Sequence, residues 1–157
     1  MKIDSIYIKF VIFLVLNFGA LGIGGFLMGK GPSDIWYTTL NKAPWTPPGW
    51  VFGVAWTSIM FCFSIYMTVI YDRLNGLKTI GILFAVQWLL NVSWNLAFFN
   101  LQSPVSGLII IVLLWLLVGY FTFKYLKSLR FYTLLILPYF IWLTIATSLN
   151  AYIVLYN

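Results

Sequence analysis

The chain has 157 residues, of which 62% are hydrophobic and 8% charged, and its mean hydropathy is +0.98. A soluble domain carries about 25% charged residues, so this composition excludes a water-soluble globular fold and points to a single integral membrane domain. The net charge of +6 is no nucleic-acid signal, because the nine Lys and Arg residues lie scattered over the ends of apolar segments, where they read as topology determinants and headgroup contacts.

A membrane-spanning helix needs about 20 apolar residues. Five runs qualify, at roughly 6–28, 49–71, 79–99, 105–123 and 131–155. They predict an all-α membrane protein, one bundle of five transmembrane helices over residues 1–157. The first run is too long for a secretory signal, and no convincing cleavage site follows it. Its glycines include the pair Gly25 and Gly29, and Gly81 with Ala85 repeats the small-xxx-small spacing in the third run. Such spacing permits close helix approach, within a bundle or across a dimer.

The connection 29–48 is the only long one, and it leads into an unusual stretch. Between Trp36 and Trp56 the chain holds four tryptophans and three prolines. Proline stops a helix from propagating through the segment. Tryptophan favours the lipid–water boundary and also makes flat, hard walls. In the second run Phe52, Ala55, Trp56 and Ile59 share a helical face, while Trp45 and Trp50 also fit an interfacial belt.

The third run carries Gln87, Asn91 and Trp94 at i, i+4 and i+7, with Asn95 extending the face. Amides in lipid need partners, so this face must look into the bundle, as interhelical glue or as the polar part of a ligand pocket. The fourth run is nearly uniform Ile, Leu and Val around Trp115 and reads as scaffold. In the fifth, Trp142, Ala146, Leu149 and Asn150 form a second polar–aromatic face, and Pro138 is expected to kink the helix near its start. Trp142 fits a packed bundle core as well as a pocket wall.

Counting Lys and Arg by side puts Lys2, Lys9, Arg73, Lys78, Lys124, Lys127 and Arg130 on one face of the membrane and only Lys30 and Lys42 on the other. This bias predicts a cytoplasmic N-terminus, with the long loop and the C-terminus outside. There is no histidine, Cys62 is the sole cysteine, and Asp4, Asp34 and Asp72 all sit at segment ends. No disulfide or metal site is expected within the chain. A proton-coupled pump would place an ionisable group near the bilayer centre, and none is there.

The pattern Trp36-Tyr37-x-x-Leu40-x-Lys42, then Pro44-Trp45-x-Pro47-Pro48-x-Trp50-x-Phe52-x-x-x-Trp56, resembles the translocator protein family, also called tryptophan-rich sensory or peripheral benzodiazepine receptor (TspO/MBR) proteins, in its bacterial-type form. So do Gln87-x-x-x-Asn91-x-x-Trp94 with Phe98-Phe99, and Pro138-Tyr139-x-x-Trp142-x-x-x-Ala146-x-x-Leu149-Asn150. The resemblance runs over essentially the whole chain. It implies a five-helix bundle, usually a homodimer, with a pocket between the helices under the first loop. It also implies binding of porphyrins such as protoporphyrin IX, of sterols, and of isoquinoline carboxamide and benzodiazepine drugs.

Carried over residue by residue, the pocket would be lined by Trp50, Phe52 and Trp56, by Asn91 and Trp94, and by Trp142, Ala146 and Leu149, with Gly22, Ile23 and Phe26 from the first helix. Trp36, Lys42, Pro44, Trp45, Pro47 and Pro48 would form the loop lid. Two departures stand out. Ala43 intervenes between Lys42 and Pro44, and the C-terminal sterol motif of animal members lacks its basic residue here, since Tyr152 is followed by Ile153-Val154-Leu155-Tyr156-Asn157.

Three functions follow as expectations. The first is a receptor or sensor for a flat tetrapyrrole, with no cofactor required and with the lipid bilayer as its other partner. The second is a light- and oxygen-dependent protoporphyrin-degrading enzyme in which Trp56 and Trp142 carry electrons. The third is a porphyrin or sterol transporter, which ranks last because the sequence shows neither a buried charge nor an inverted repeat.

Overall fold

The computed structural model describes residues 3–74 and 78–157, and the side chains of all of these except 3 and 4. Lys2 and the side chain of Asp4, both counted above, therefore lie outside the described residues, as do residues 75–77 of the second loop. Among the described residues there is no strand, and five helices are long and apolar enough to cross a membrane. The protein is an integral membrane protein.

Helix α1 spans Ile3–Leu27, a short α2 spans Ile35–Thr39, and α3 spans Gly49–Arg73. Helix α4 spans Lys78–Asn95 and runs on into a wide π turn at Leu96–Asn100; α5 spans Pro104–Lys124, α6 is the single turn Leu126–Leu129, and α7 spans Leu137–Tyr156. At 1.5 Å per residue, the 25 residues of α1 or α3 cover about 37 Å, enough for a hydrocarbon core of about 30 Å.

Local chemistry sets the ends of these helices. Gly29 and Gly31 follow α1 with φ of +60° and +52°, a conformation that glycine adopts without steric cost. The Asp34 carboxylate caps α2 by accepting from the Trp36 backbone N–H at 2.9 Å, the role acidic N-caps serve. Pro48 stands extended just before α3, and Pro104 opens α5, where its missing N–H costs nothing.

The fifth span differs from expectation at its start. Residues Arg130–Leu135 wind as a 3-10 helix, and α7 begins only at Leu137. Pro138 therefore sits in the first turn of α7, where proline starts a helix instead of kinking it.

The five long helices close a ring. Helix α1 packs between α3 and α4, α5 between α4 and α7, and α7 returns to α3. One half of the ring is solid. Met60, Phe63, Tyr66 and Met67 of α3 are fully buried against Val118, Phe121, Tyr139 and Leu143. Polar groups in this half are tied across helices, as an apolar solvent demands. Tyr66 donates to the Phe121 carbonyl at 3.0 Å, Asn17 Nδ2 donates to Ser64 Oγ at 2.9 Å, and Gln87 Nε2 bonds Tyr139 Oη at 2.8 Å.

Close approach of α1 to α4 occurs at Gly24, where a Cβ would stand 2.7 Å from Asn95 Nδ2. The Gly25/Gly29 pair does not make this contact, and Gly81 faces open space. Gly107 of α5 similarly lies within 3.0 Å, measured from where its Cβ would be, of both Asn150 Oδ1 and Phe98 Cδ2.

Candidate functional site

In the other half of the ring the helices part around a cavity of about 650 Å³, within the range of small-molecule sites. Phe52 and Trp56 of α3 form one wall, Asn91 and Trp94 of α4 a second, and Trp142, Ala146 and Leu149 of α7 a third. Phe52 meets Trp142 edge to face at 5.2 Å, and Trp56 meets Tyr139 the same way at 5.9 Å. Trp56 and Trp142 thus sit on the aromatic floor that divides the cavity from the solid half.

Trp94 is held from two sides. Its Nε1–H donates to Asn150 Oδ1 at 3.1 Å, and Asn150 Nδ2 donates in turn to the Pro104 carbonyl at 2.9 Å. Its ring stacks on Phe98 with centroids 5.1 Å apart and planes 14° from parallel. The π turn makes this stack possible. Leu101 N–H reaches back five residues to the Leu96 carbonyl at 2.9 Å, and the extra residue re-aims Phe98 and Phe99 toward the cavity.

Trp142 is treated differently. It is 7% exposed, yet its Nε1–H has no hydrogen-bond partner among the described residues. Buried indole N–H groups usually find a partner; this one is closed off even from the cavity that its ring lines. Asn91 and Asn95, one turn apart, add amides to the same lining.

The outer loop closes the cavity in part. Lys42 and Pro47 line it, together with Thr46 and Tyr37. Lys42 Nζ donates to the Thr38 carbonyl at 3.1 Å and lies 5.0 Å from the centroid of the Tyr37 ring, a cation–π arrangement. Burial pushes the Tyr37 hydroxyl above its ordinary pKa, which keeps it a neutral donor.

Trp45 does not line the cavity; it ties the loop down. Its Nε1–H donates to Ser148 Oγ at 3.1 Å, and its ring packs on Tyr152 at 5.5 Å. Asn41 and Asn157 exchange a second pair of bonds, at 2.8 and 3.2 Å. Trp36 packs on Phe98 at 5.8 Å, outside the cavity lining, while Pro44 and Pro48 are exposed.

Four of the expected wall residues lie elsewhere. Trp50 is 71% exposed and points away from the cavity, so it fits the interfacial belt. Gly22, Ile23 and Phe26 are exposed on the outside of α1, Phe26 to 84%. Helix α1 instead presents Leu21, Gly25 and Met28, a face rotated by about 100°, one residue's turn.

The sequence matches the TspO/MBR family over residues 10–156. This chain belongs to the TspO/MBR family. It is 33% identical to the tryptophan-rich protein TspO of Chlorobaculum tepidum over 134 residues, 83% of this chain and 85% of that one. It is 34% identical to the tryptophan-rich sensory protein of Cereibacter sphaeroides over 74% of this chain and 73% of the relative. The bovine translocator protein is 27% identical over 82% of this chain and 80% of its own length.

In this TspO/MBR protein several lining groups lie outside the motifs. Ile111 of α5 reaches the cavity from a helix that reads as plain scaffold. Gly49, Gly53 and Thr57 line it too and are exposed, so the cavity opens along that side of α3. The signal for them was present, because Gly49, Phe52, Gly53 and Trp56 follow the i, i+3, i+4, i+7 spacing of one helical face.

Proposed function

We propose that this TspO/MBR protein is an integral membrane receptor or sensor for a tetrapyrrole such as protoporphyrin IX, held in the aromatic cavity. The observation that carries the reading is the convergence of three indoles, Trp56, Trp94 and Trp142, on the walls of one cavity. A porphyrin is flat and apolar across its face, which suits indole walls. Its carboxylates suit Lys42, the single cation among the described lining residues. Those residues include no His, Cys or carboxylate, which favours the metal-free ring over haem. Isoquinoline carboxamide and benzodiazepine-type drugs, aromatic and apolar with a carbonyl acceptor, suit the same walls and the lining amides of Asn91 and Asn95.

The excess of basic residues on one side supports a cytoplasmic N-terminus, with the loop and the C-terminus outside. The exposed Gly81 and Ala85 on α4 offer a close-packing face for a homodimer.

The test is a fluorescence-quenching titration with protoporphyrin IX. Trp142→Phe trims an indole wall to a phenyl ring, and it is expected to weaken binding by about fivefold, the loss of about 1 kcal/mol of apolar contact. Trp56→Phe trims the floor in the same way and should weaken binding to a similar extent. Unchanged affinity in both variants would reject this cavity as the porphyrin site.

Light-dependent degradation is a second reading, favoured by the placement of two oxidisable indoles, Trp56 and Trp142, on one void. Illuminating the protein with protoporphyrin IX in air should then give a discrete product. Product yield equal to that with free tryptophan would make the chemistry incidental.

A further inference from the structure

A second cavity, of about 590 Å³, lies at the opposite end of the bundle between α1, α3 and the turn that precedes α7. Its chemistry differs from that of the first. One part is an apolar slot between two helices, walled by Ile6 and Phe10 of α1 and by Ile65 and Val69 of α3. The other part is a charged rim made by Asp72, Arg73 and Tyr132.

The rim carries a net positive charge once its pairs are assigned. Asp72 accepts from Lys9 Nζ at 2.6 Å, so these two charges cancel. Arg73 has no carboxylate partner among the described residues. Its guanidinium lies 4.6 Å from the centroid of the Tyr132 ring, and its hydrogen bond to the Ser128 carbonyl is long, at 3.5 Å. The aromatic contact fixes the plane of the guanidinium without using its N–H groups. A planar fork held in this way matches the oxygens of a phosphate.

Position narrows the ligand class. Arg73 is the last residue of the 25-residue α3, a span longer than the roughly 20 residues that cross the hydrocarbon, so its end reaches toward the headgroups. Lys78, Lys124, Lys127 and Arg130 end neighbouring segments on the same side, which makes that surface attractive to anionic lipid. A soluble anion would use the rim and leave the slot empty. A phospholipid uses both parts, because its acyl chain has the same solvent preference as the slot.

We propose that this groove is a binding site for one anionic phospholipid, with its phosphate on Arg73 and an acyl chain lying between α1 and α3 against Phe10, Ile65 and Val69. The charge of the headgroup supplies the selectivity, and the slot supplies the retention.

The test is native mass spectrometry of the whole protein after equilibration in mixed vesicles of phosphatidylglycerol and phosphatidylcholine. Wild type should retain one phosphatidylglycerol with about fivefold preference, the advantage that one interfacial cation confers. Arg73→Gln should erase the preference, and Arg73→Lys should keep part of it. Lys127→Gln, on the same side but outside the groove, should leave it intact. Ile65→Trp fills the slot and should lower retention of both lipids. Thermal midpoints in detergent confirm that each variant is folded.

The proposal fails if Arg73→Gln retains the wild-type preference, or if Lys127→Gln loses as much, since diffuse surface charge would then be the cause. It also fails if inorganic phosphate at millimolar concentration displaces the lipid from wild type, because the site would then select a free anion.

Discussion

Ala146→Phe should reduce protoporphyrin IX affinity by roughly tenfold or more, about 1.4 kcal/mol, with little change in thermal stability. Ala146 lies one turn beyond Trp142 on the buried side of α7 and lines the cavity. Overpacking a filled core costs about 1–3 kcal/mol, but here the added ring enters open space and displaces ligand instead of protein. Ala146→Val, a smaller intrusion, should lose less. A quenching titration reads the affinity, and a melting curve in detergent separates occlusion from misfolding. Full binding by a stable Ala146→Phe variant would place the porphyrin elsewhere.

Asn150→Leu should damage both folding and binding. The residue is 2% exposed and is bonded on both sides, accepting from Trp94 Nε1 and donating to the Pro104 carbonyl. Interhelical hydrogen bonds in membranes average about 0.6 kcal/mol each, so losing two should cost about 1–2 kcal/mol. The larger consequence is local. Trp94 loses the bond that fixes its ring over Phe98, and one wall of the cavity becomes mobile. A double-mutant cycle with Trp94→Phe isolates the effect: the two changes should be less than additive in both stability and affinity. Strict additivity would mean that Asn150 does not position Trp94.

Much of the architecture is legible in the sequence because the bilayer imposes it. About 20 apolar residues make a span, and all five spans lie within a few residues of their expected places except for the start of the last. There the apolar pattern runs on through Arg130–Leu135, but the backbone takes a tighter turn before Leu137, and hydropathy does not report that difference.

The walls from α3, α4 and α7 are legible for a related reason. Asn91, Trp94, Trp142 and Asn150 are costly toward lipid, so their helical faces must turn inward. The inner face of α1 is marked by a single residue of that kind, Asn17, which is buried and bonded to Ser64. Its outer side meets hydrocarbon, which accepts Ile23 and Phe26 as readily as a protein core does, so apolarity carries no direction. Its inner face is otherwise marked by small residues, with Gly24 against Asn95 and Gly25 on the cavity. The π turn at Leu96–Asn100 leaves no mark in composition or periodicity, yet it decides where Phe98 and Phe99 point. Trp45 reads equally well as a belt residue or a lid residue, and its bond to Ser148 makes it a fastener between the loop and α7.

The lining of the main cavity also makes it a poor sensor of acidity. It contains no imidazole and no carboxylate among its described residues, and histidine is the side chain whose ordinary pKa falls between about pH 5 and 8. Burial moves Tyr37 further from that window. Across it, the cavity presents a bound molecule with an unchanging set of charges. A titration repeated over that range should therefore show only the ionisation of the ligand: a porphyrin diester, with no free carboxylates, should bind with one affinity throughout. A pH-dependent affinity for the diester would require a titrating group outside the lining to act on it.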